Sequence, residues 1–311
     1  MKIVFMGTPA AAVPTLERIV ADGHDVVAVY TQPDRPAGRG NKLSAPPVKE
    51  KAIELGIPVF QPQKVRTQEA LEVFRSHQAD VAVVVAYGRI LPAGFLSAYP
   101  KGAVNVHFSL LPKLRGAAPV NWAIANGDRT TGITTMKMDE GLDTGDILLQ
   151  RETPVEAVET SIELMSRLSL VGAELLAETL NNCETLEPRP QDHELATLAP
   201  ILKRSDGEID WKLTAAEIAN RVRGFQPFPG SFTSFRGEKL TIWAAEPSSN
   251  ASSFAPGEIG EIEKGAIIVG CGGGTALRIT ELQQQGRKRM TARDLLNGVR
   301  IEKGERFSQT Q

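Results

Sequence analysis

Asn105 and His107 stand two residues apart in the run Asn105-Val106-His107-Phe108-Ser109-Leu110-Leu111-Pro112. Arg115-Gly116-Ala117-Ala118-Pro119 follows just beyond, and Gly141-Leu142-Asp143-Thr144-Gly145-Asp146 further along. An amide, an imidazole and a carboxylate suit acyl transfer to an amine without a covalent enzyme intermediate. As the amine attacks a carbonyl carbon, charge builds on the oxygen and a proton must leave the nitrogen. Asn105 can donate an N–H to that oxygen. His107, kept protonated by a carboxylate such as Asp143, can donate a second hydrogen bond. No G-x-S-x-G elbow occurs, and neither Cys183 nor Cys271 lies near His107 in sequence, so nothing points to a serine or cysteine nucleophile. Taken singly, a strand Asn–His pair is more often a satisfied polar pair, and Asp143 a turn residue in a glycine-rich loop. The combination is what indicates chemistry.

Such a trio must be held by a strand and a loop. Gly102-Ala103-Val104 with Val106 reads as a buried strand, which puts Asn105 and His107 on one face, roughly 6.6 Å apart at about 3.3 Å per residue. Proline brings no N–H to a sheet ladder, so Leu-Leu-Pro forces a turn at or soon after Ser109. The polar pair therefore falls near the carboxyl end of a strand, where open α/β sheets bind ligands. Gly141 and Gly145 would let the second loop bend tightly and bring Asp143 inward.

Around that strand, apolar runs at Lys2 to Met6, Val26 to Thr31, Ile57 to Phe60 and Val81 to Ala86 alternate with helical periodicity at Ala10 to Ala21, Pro47 to Gly56 and Thr67 to His77. This predicts an α/β fold with a doubly wound, Rossmann-like parallel sheet. Further strands are expected at Thr131 to Met138 and Ile147 to Gln150, and a long amphipathic helix at Ser161 to Leu180 closes a catalytic domain over 1–182. A proline-bearing linker over 183–204 lacks periodicity. Over 205–311 one short helix and then short alternating runs at Ser231 to Phe235, Leu240 to Ala244, Ile267 to Val269 and Ala276 to Ile279 predict a C-terminal OB-like β-barrel. Gly7-Thr8-Pro9-Ala10 lacks the G-x-G-x-x-G pattern, so no nicotinamide cofactor is expected.

Composition narrows the class. A chain of 311 residues exceeds the roughly 250–300 at which one core stops growing, so two domains are expected. The net charge of −2 argues against a protein coated in positive charge for nucleic acid, but leaves room for local basic patches. Two separated cysteines without a C-x-x-C pair give neither a disulfide framework nor a metal site, and a reducing cytoplasm is the expected compartment. The apolar run ending at Gly7 is too short for a secretory signal. The longest, Val81 to Tyr87, falls far below the ~20 residues of a membrane span.

Two basic features remain. The segment from Gln32 to Pro47 is long for a βα connection, usually about two to six residues, and carries Arg35, Arg39 and Lys42. Arg287-Lys288-Arg289 lies in the candidate barrel. Read alone, both are solvated charge; on an OB-like domain the second could meet RNA phosphates.

The pattern Asn-x-His-x-Ser-Leu-Leu-Pro-x-x-Arg-Gly with a downstream Gly-Leu-Asp-Thr-Gly-Asp resembles the formyltetrahydrofolate-dependent transformylases. Gly7-Thr8-Pro9, the run Thr31 to Gly40, Ala86-Tyr87-Gly88 and Ile209-Asp210-Trp211 narrow the resemblance to the branch that formylates methionyl-tRNA, and it covers nearly the whole chain. It implies Asn105, His107 and Asp143 as catalytic residues and 10-formyltetrahydrofolate as co-substrate. Ser109, Leu110, Leu111, Pro112, Ile90, Leu91 and Asp139 would bind the folate. Initiator methionyl-tRNA would be the partner, met by Arg35, Arg39 and Lys42 in the long loop and by Arg287, Lys288 and Arg289 in the barrel. The expected protein is a cytoplasmic monomer without a metal. Ile201 stands where the branch usually carries a lysine, with Lys203 as the nearest cation. A formyltransferase acting on a small amine, such as glycinamide ribonucleotide or an amino sugar nucleotide, would need neither basic feature. A non-catalytic OB-type RNA-binding protein would have no reason to keep the trio together.

Overall fold

The computed structural model describes residues 1–37, 42–249 and 253–308. The chain divides into two compact units: Met1–Pro119 with Thr130–Pro154 and Met165–Pro200, and Val120–Arg129 with Val155–Leu164 and Ile201–Gln311.

The first unit is built on a seven-stranded sheet in the order Val59–Phe60, Asp25–Tyr30, Lys2–Gly7, Val81–Val85, Ala103–His107, Thr130–Lys137, Ile147–Pro154. The strands up to Ala103–His107 pair in parallel, and the order reverses beside Lys2–Gly7, as a doubly wound sheet requires. The strands expected after the site strand are present but run antiparallel to their neighbours. Only one short helix, Pro119–Ala125, separates them from it, and the next connection is a loop. The Lys2–Gly7 and Val81–Val85 strands are buried along nearly all their length, as strands covered on both faces must be.

The helix Ser161–Asn181 passes over the site strand where Gly172 sits against Val106; a Cβ on Gly172 would lie 3.0 Å from Val106 Cγ1. Val106 therefore faces the helix, and strand alternation turns Asn105 and His107 the other way. The long segment after Asp25–Tyr30 contains a short hairpin, Arg35–Ala37 paired with Lys42–Ser44. The proline-bearing segment is not a free spacer: Arg189 exchanges two backbone hydrogen bonds with Ile147 at 2.8 Å, and Leu198 forms a parallel bridge with Arg115.

The second unit carries a curled antiparallel sheet in the order Ile259–Glu263, Ala266–Cys271, Thr275–Gln284, Glu238–Pro247, Ser231–Phe235, Phe307–Ser308. Its core joins Trp211, Ile218 and Val222 to Ile242, Ile267, Leu277 and Leu282. The helix Ala215–Gly224 begins on a capping box that the sequence spells out, the Thr214 hydroxyl accepting from Glu217 N while the Glu217 carboxylate accepts from Thr214 N. No helix among the described residues is long and apolar enough to cross a membrane.

Candidate active site

Asn105 and His107 lie on the expected strand, both buried, at 8% and 5% exposure. Asn105 is in register with Val84 on one side and Met136 on the other, and His107 with Thr134. The strand ends as its proline demands. Leu111 N donates to Thr134 Oγ1, which itself donates to the Ser109 carbonyl at 2.7 Å, so a neighbouring side chain replaces the ladder that Pro112 cannot continue.

His107 is fixed through one ring nitrogen. Nε2 lies 3.0 Å from the Leu114 carbonyl. A carbonyl only accepts, so Nε2 carries that hydrogen and Nδ1 is the nitrogen left for chemistry. Nδ1 stands 3.7 Å from Asp143 Oδ2, an ion-pair distance too long for a direct hydrogen bond. Leu114 can offer its carbonyl because the chain reverses there, with Leu114 at φ +59° and Gly116 at φ +121°. The side-chain amide of Asn105 makes no hydrogen bond among the described residues and is free to donate.

Asp143 reaches the site by a different bend from the one its flanking glycines suggest. Asp143 itself takes the left-handed conformation, at φ +53°, tolerated by a short polar side chain. Gly145 is needed for close approach, since a Cβ there would fall 1.8 Å from the Lys137 carbonyl oxygen. The Asp143 carboxylate accepts the Gly116 N–H at 2.8 Å. The residues expected to hold folate divide by environment. The Ser109 hydroxyl is committed to the Lys113 carbonyl at 2.6 Å, and Asp139 binds the Thr144 hydroxyl and the Gly141 N–H, so both shape loops. Leu91 and Leu111 are core residues, whereas Leu110 and Pro112 are half-buried. Ile90 is exposed by 65%, as is Leu142 by 57% beside Asp143. Large apolar side chains left in water on strand-end loops suit a flat heteroaromatic ring.

A cavity of about 430 Å³ opens where the strand order reverses, lined by Thr8, Gln32, Arg35, Ser44, Tyr87 and Gly88 among others. Gln32 and Tyr87 of its lining belong to a connected polar network. Gln32 donates to the Tyr87 carbonyl and accepts from Arg89 Nε, and Gln61 donates to the Gln32 carbonyl and to Asp34. Hydrogen bonds from Lys49 and then Gln61 hold the Asp34 carboxyl below its usual range. The trio does not line this cavity, but strand register brings one of its walls to the same sheet end: Val84 and Asn105 are paired in parallel, so the Ala86 to Gly88 turn leaves the sheet beside His107.

Of the basic residues, Arg35 is exposed at the cavity and Lys42 belongs to the hairpin, while Arg39 lies outside the described residues. Arg287 and Lys288 are exposed with no side-chain partner among the described residues. Arg289 differs, being paired with Glu281 and stacked over Trp243. Sequence reasoning missed the residues that support the trio. Gln191, Thr197 and Ala199 come from the proline-bearing segment, and Thr197 and Ala199 bond the backbone from Leu114 to Ala118.

Residues 1–180 match the family described as Formyl transferase, and residues 201–300 its C-terminal domain. The chain is 49% identical over 311 residues to a methionyl-tRNA formyltransferase of Solibacter usitatus, covering 99% of each chain. It is 52% identical over 303 residues to one from Koribacter versatilis, covering 96% of each. Among solved structures it resembles WlaRD, a sugar 3N-formyl transferase crystallised in the presence of dTDP and 5-N-formyl-THF. That match has a TM-score of 0.67 at 17% identity, covers 93% of this chain and 99% of that one, and bears on fold alone. On this combination of matched domains and full-length identity, the chain belongs to the methionyl-tRNA formyltransferase family.

Proposed function

We propose that Asn105, His107 and Asp143 carry the transfer of a formyl group from 10-formyltetrahydrofolate to the α-amine of methionine esterified to initiator tRNA. The product is formylmethionyl-tRNA for translation initiation. The observation that carries this assignment is the division of labour on His107: Leu114 occupies Nε2, leaving Nδ1 to face Asp143 across 3.7 Å. At that distance the two groups are not consumed by a direct hydrogen bond, so a reacting group or a water can bridge imidazole and carboxylate from one side.

Asn105 donates its amide hydrogen to the formyl oxygen as the amine attacks and charge builds there, and His107 donates from Nδ1. Asp143 holds the imidazolium and receives the proton that the amine loses as the new C–N bond forms. The same proton returns to the folate nitrogen as the old C–N bond breaks, so no covalent enzyme species and no metal is needed. Ile90 and Leu142 offer apolar walls to the folate ring, beside the turn shaped by Ser109, Leu110, Leu111 and Pro112. The cavity bordered by Arg35 receives the aminoacyl end. Arg39 and Lys42 reach the tRNA from the same loop, and Arg287 and Lys288, with Arg289 beside them, meet phosphates. Catalysis is assigned to residues 1–182 and tRNA binding to 205–311 of a cytoplasmic monomer, with 183–204 between them contributing Gln191, Thr197 and Ala199 to the support of the trio rather than serving as a free joint.

Incubation with formyl donor and either methionyl-tRNA or small amines, followed by identification of the product, tests this. Formylmethionyl-tRNA is expected, with far weaker use of that tRNA by Arg39→Ala at unchanged folate affinity. Formylation of glycinamide ribonucleotide or an amino sugar nucleotide instead would overturn it.

A further inference from the structure

Gln191 is 5% exposed and makes four hydrogen bonds that meet at the site. Its Oε1 accepts from Arg115 Nε at 3.1 Å and from Arg115 Nη2 at 2.6 Å. Its Nε2 donates to the carbonyls of Asp143 at 2.8 Å and Gly145 at 2.7 Å. We propose that Gln191 is a positioning residue for formyl transfer, acting by locking the backbone of the Asp143 loop so that the carboxylate faces His107. The proposal rests on the assignment of Asp143 to catalysis.

A glutamine presents one acceptor oxygen and one NH2 group on opposite sides. Arg115, 7% exposed and without an acidic partner among the described residues, offers only donors, so it takes the oxygen and thereby fixes the amide's orientation. His193 Nδ1 accepts a further hydrogen from Arg115 Nη2 at 3.1 Å. The NH2 is then aimed at two carbonyls of one tight loop. One of those carbonyls is that of Asp143 itself, which holds φ +53°, a conformation that surroundings must enforce in a non-glycine residue, and the other lies two residues on at Gly145. Arg115 sits between Leu114, which fixes His107, and Gly116, which fixes Asp143. The Gln191–Arg115 pair therefore ties both catalytic side chains to one support.

Gln191→Glu isolates this role. It keeps the volume and pairs with Arg115, but replaces the two donated hydrogens by a carboxylate oxygen facing two carbonyls. We expect kcat to fall by roughly 10- to 100-fold, the scale of a small misplacement of a catalytic group, with KM for folate and for methionyl-tRNA nearly unchanged. In an Asp143→Ala background the same substitution should cost nothing further, because there is no carboxylate left to position. A kcat within about twofold of the parent, or the same fractional loss in the Asp143→Ala background, would overturn the proposal. Asp143→Ala with parental kcat would instead overturn the catalytic assignment on which it rests. A thermal-unfolding midpoint measured on each variant, expected to fall by a few degrees as two buried carbonyls lose their donor but to stay well above the assay temperature, separates misplacement from loss of fold; a kcat loss that disappears when parent and variant are assayed at equal fractions folded would also overturn the positioning role.

Discussion

The Asp143 carboxylate faces His107 Nδ1 at 3.7 Å through the same oxygen, Oδ2, that accepts the Gly116 N–H at 2.8 Å. The backbone hydrogen bond places the charge; the longer contact leaves it available to a reacting group.

Gly116 cannot be replaced without moving that anchor. Its φ of +121° is strained for any other residue, and an added Cβ would meet the Ala199 carbonyl oxygen at 2.7 Å, where backbone cannot yield cheaply. Gly116→Ala should destabilise the protein by about 1–3 kcal/mol, the usual cost of forced overpacking, and lower kcat as well. Denaturant unfolding and steady-state kinetics check both parts; parental values for both would show that the turn adapts.

Asp143→Asn retains an oxygen that can accept the Gly116 N–H but removes the charge facing His107. We expect kcat to fall by about 10²-fold or more, the range associated with loss of a proton-transfer group, with little change in KM for either substrate. The informative comparison is the split between kcat and KM: a rise in KM alone would assign Asp143 to binding.

Acid sensitivity should arise away from the site. His77 Nε2 lies 2.9 Å from the Tyr30 hydroxyl within an aromatic cluster, and burial lowers its pKa below 6.5. Its folded-state value is thus depressed, so the stability linked to its neutral form is present above 6.5 and is lost as pH falls through the folded value. His24 is shifted the same way, first by burial and then by the amino terminus. Unfolding midpoints of the parent should decline from about pH 7.5 to pH 5, and His77→Gln should reduce that decline. An identical pH profile in the variant would remove His77 from the explanation.

Within the basic cluster, Arg289 is already neutralised by Glu281, whereas Arg287 and Lys288 are not. Removing Arg287 and Lys288 together should lower the salt slope of tRNA binding by roughly 0.7–0.9 per lost phosphate contact and weaken all tRNAs alike. Arg289→Ala should do less. Binding isotherms at several salt concentrations check this, and equal effects for the three residues would show that the Glu281 pair does not matter.

Strand alternation placed Asn105 and His107 on one face, and Pro112 located the end of their strand, because these properties are local. The direction of the Thr130–Lys137 and Ile147–Pro154 strands was not legible, since both directions share one alternation pattern. The bend falls on Asp143 itself and not on the glycines that suggest it in sequence, and the close approach that requires Gly145, to Lys137, exists only in the assembled fold. Gln191 carried no signal at all: it stands among prolines in an aperiodic segment, and its partners lie 76 positions away at Arg115 and 48 away at Asp143.

Whether Asn105 meets the charge developing on the formyl oxygen is read from single-turnover formylation of methionyl-tRNA by Asn105→Ala with donor and tRNA both saturating. The transfer rate should fall by roughly 10²–10³-fold, equivalent to ~2.7–4 kcal/mol, the loss expected for one oxyanion donor. Dissociation constants for both substrates should be unchanged. A parental transfer rate would contradict that role for Asn105.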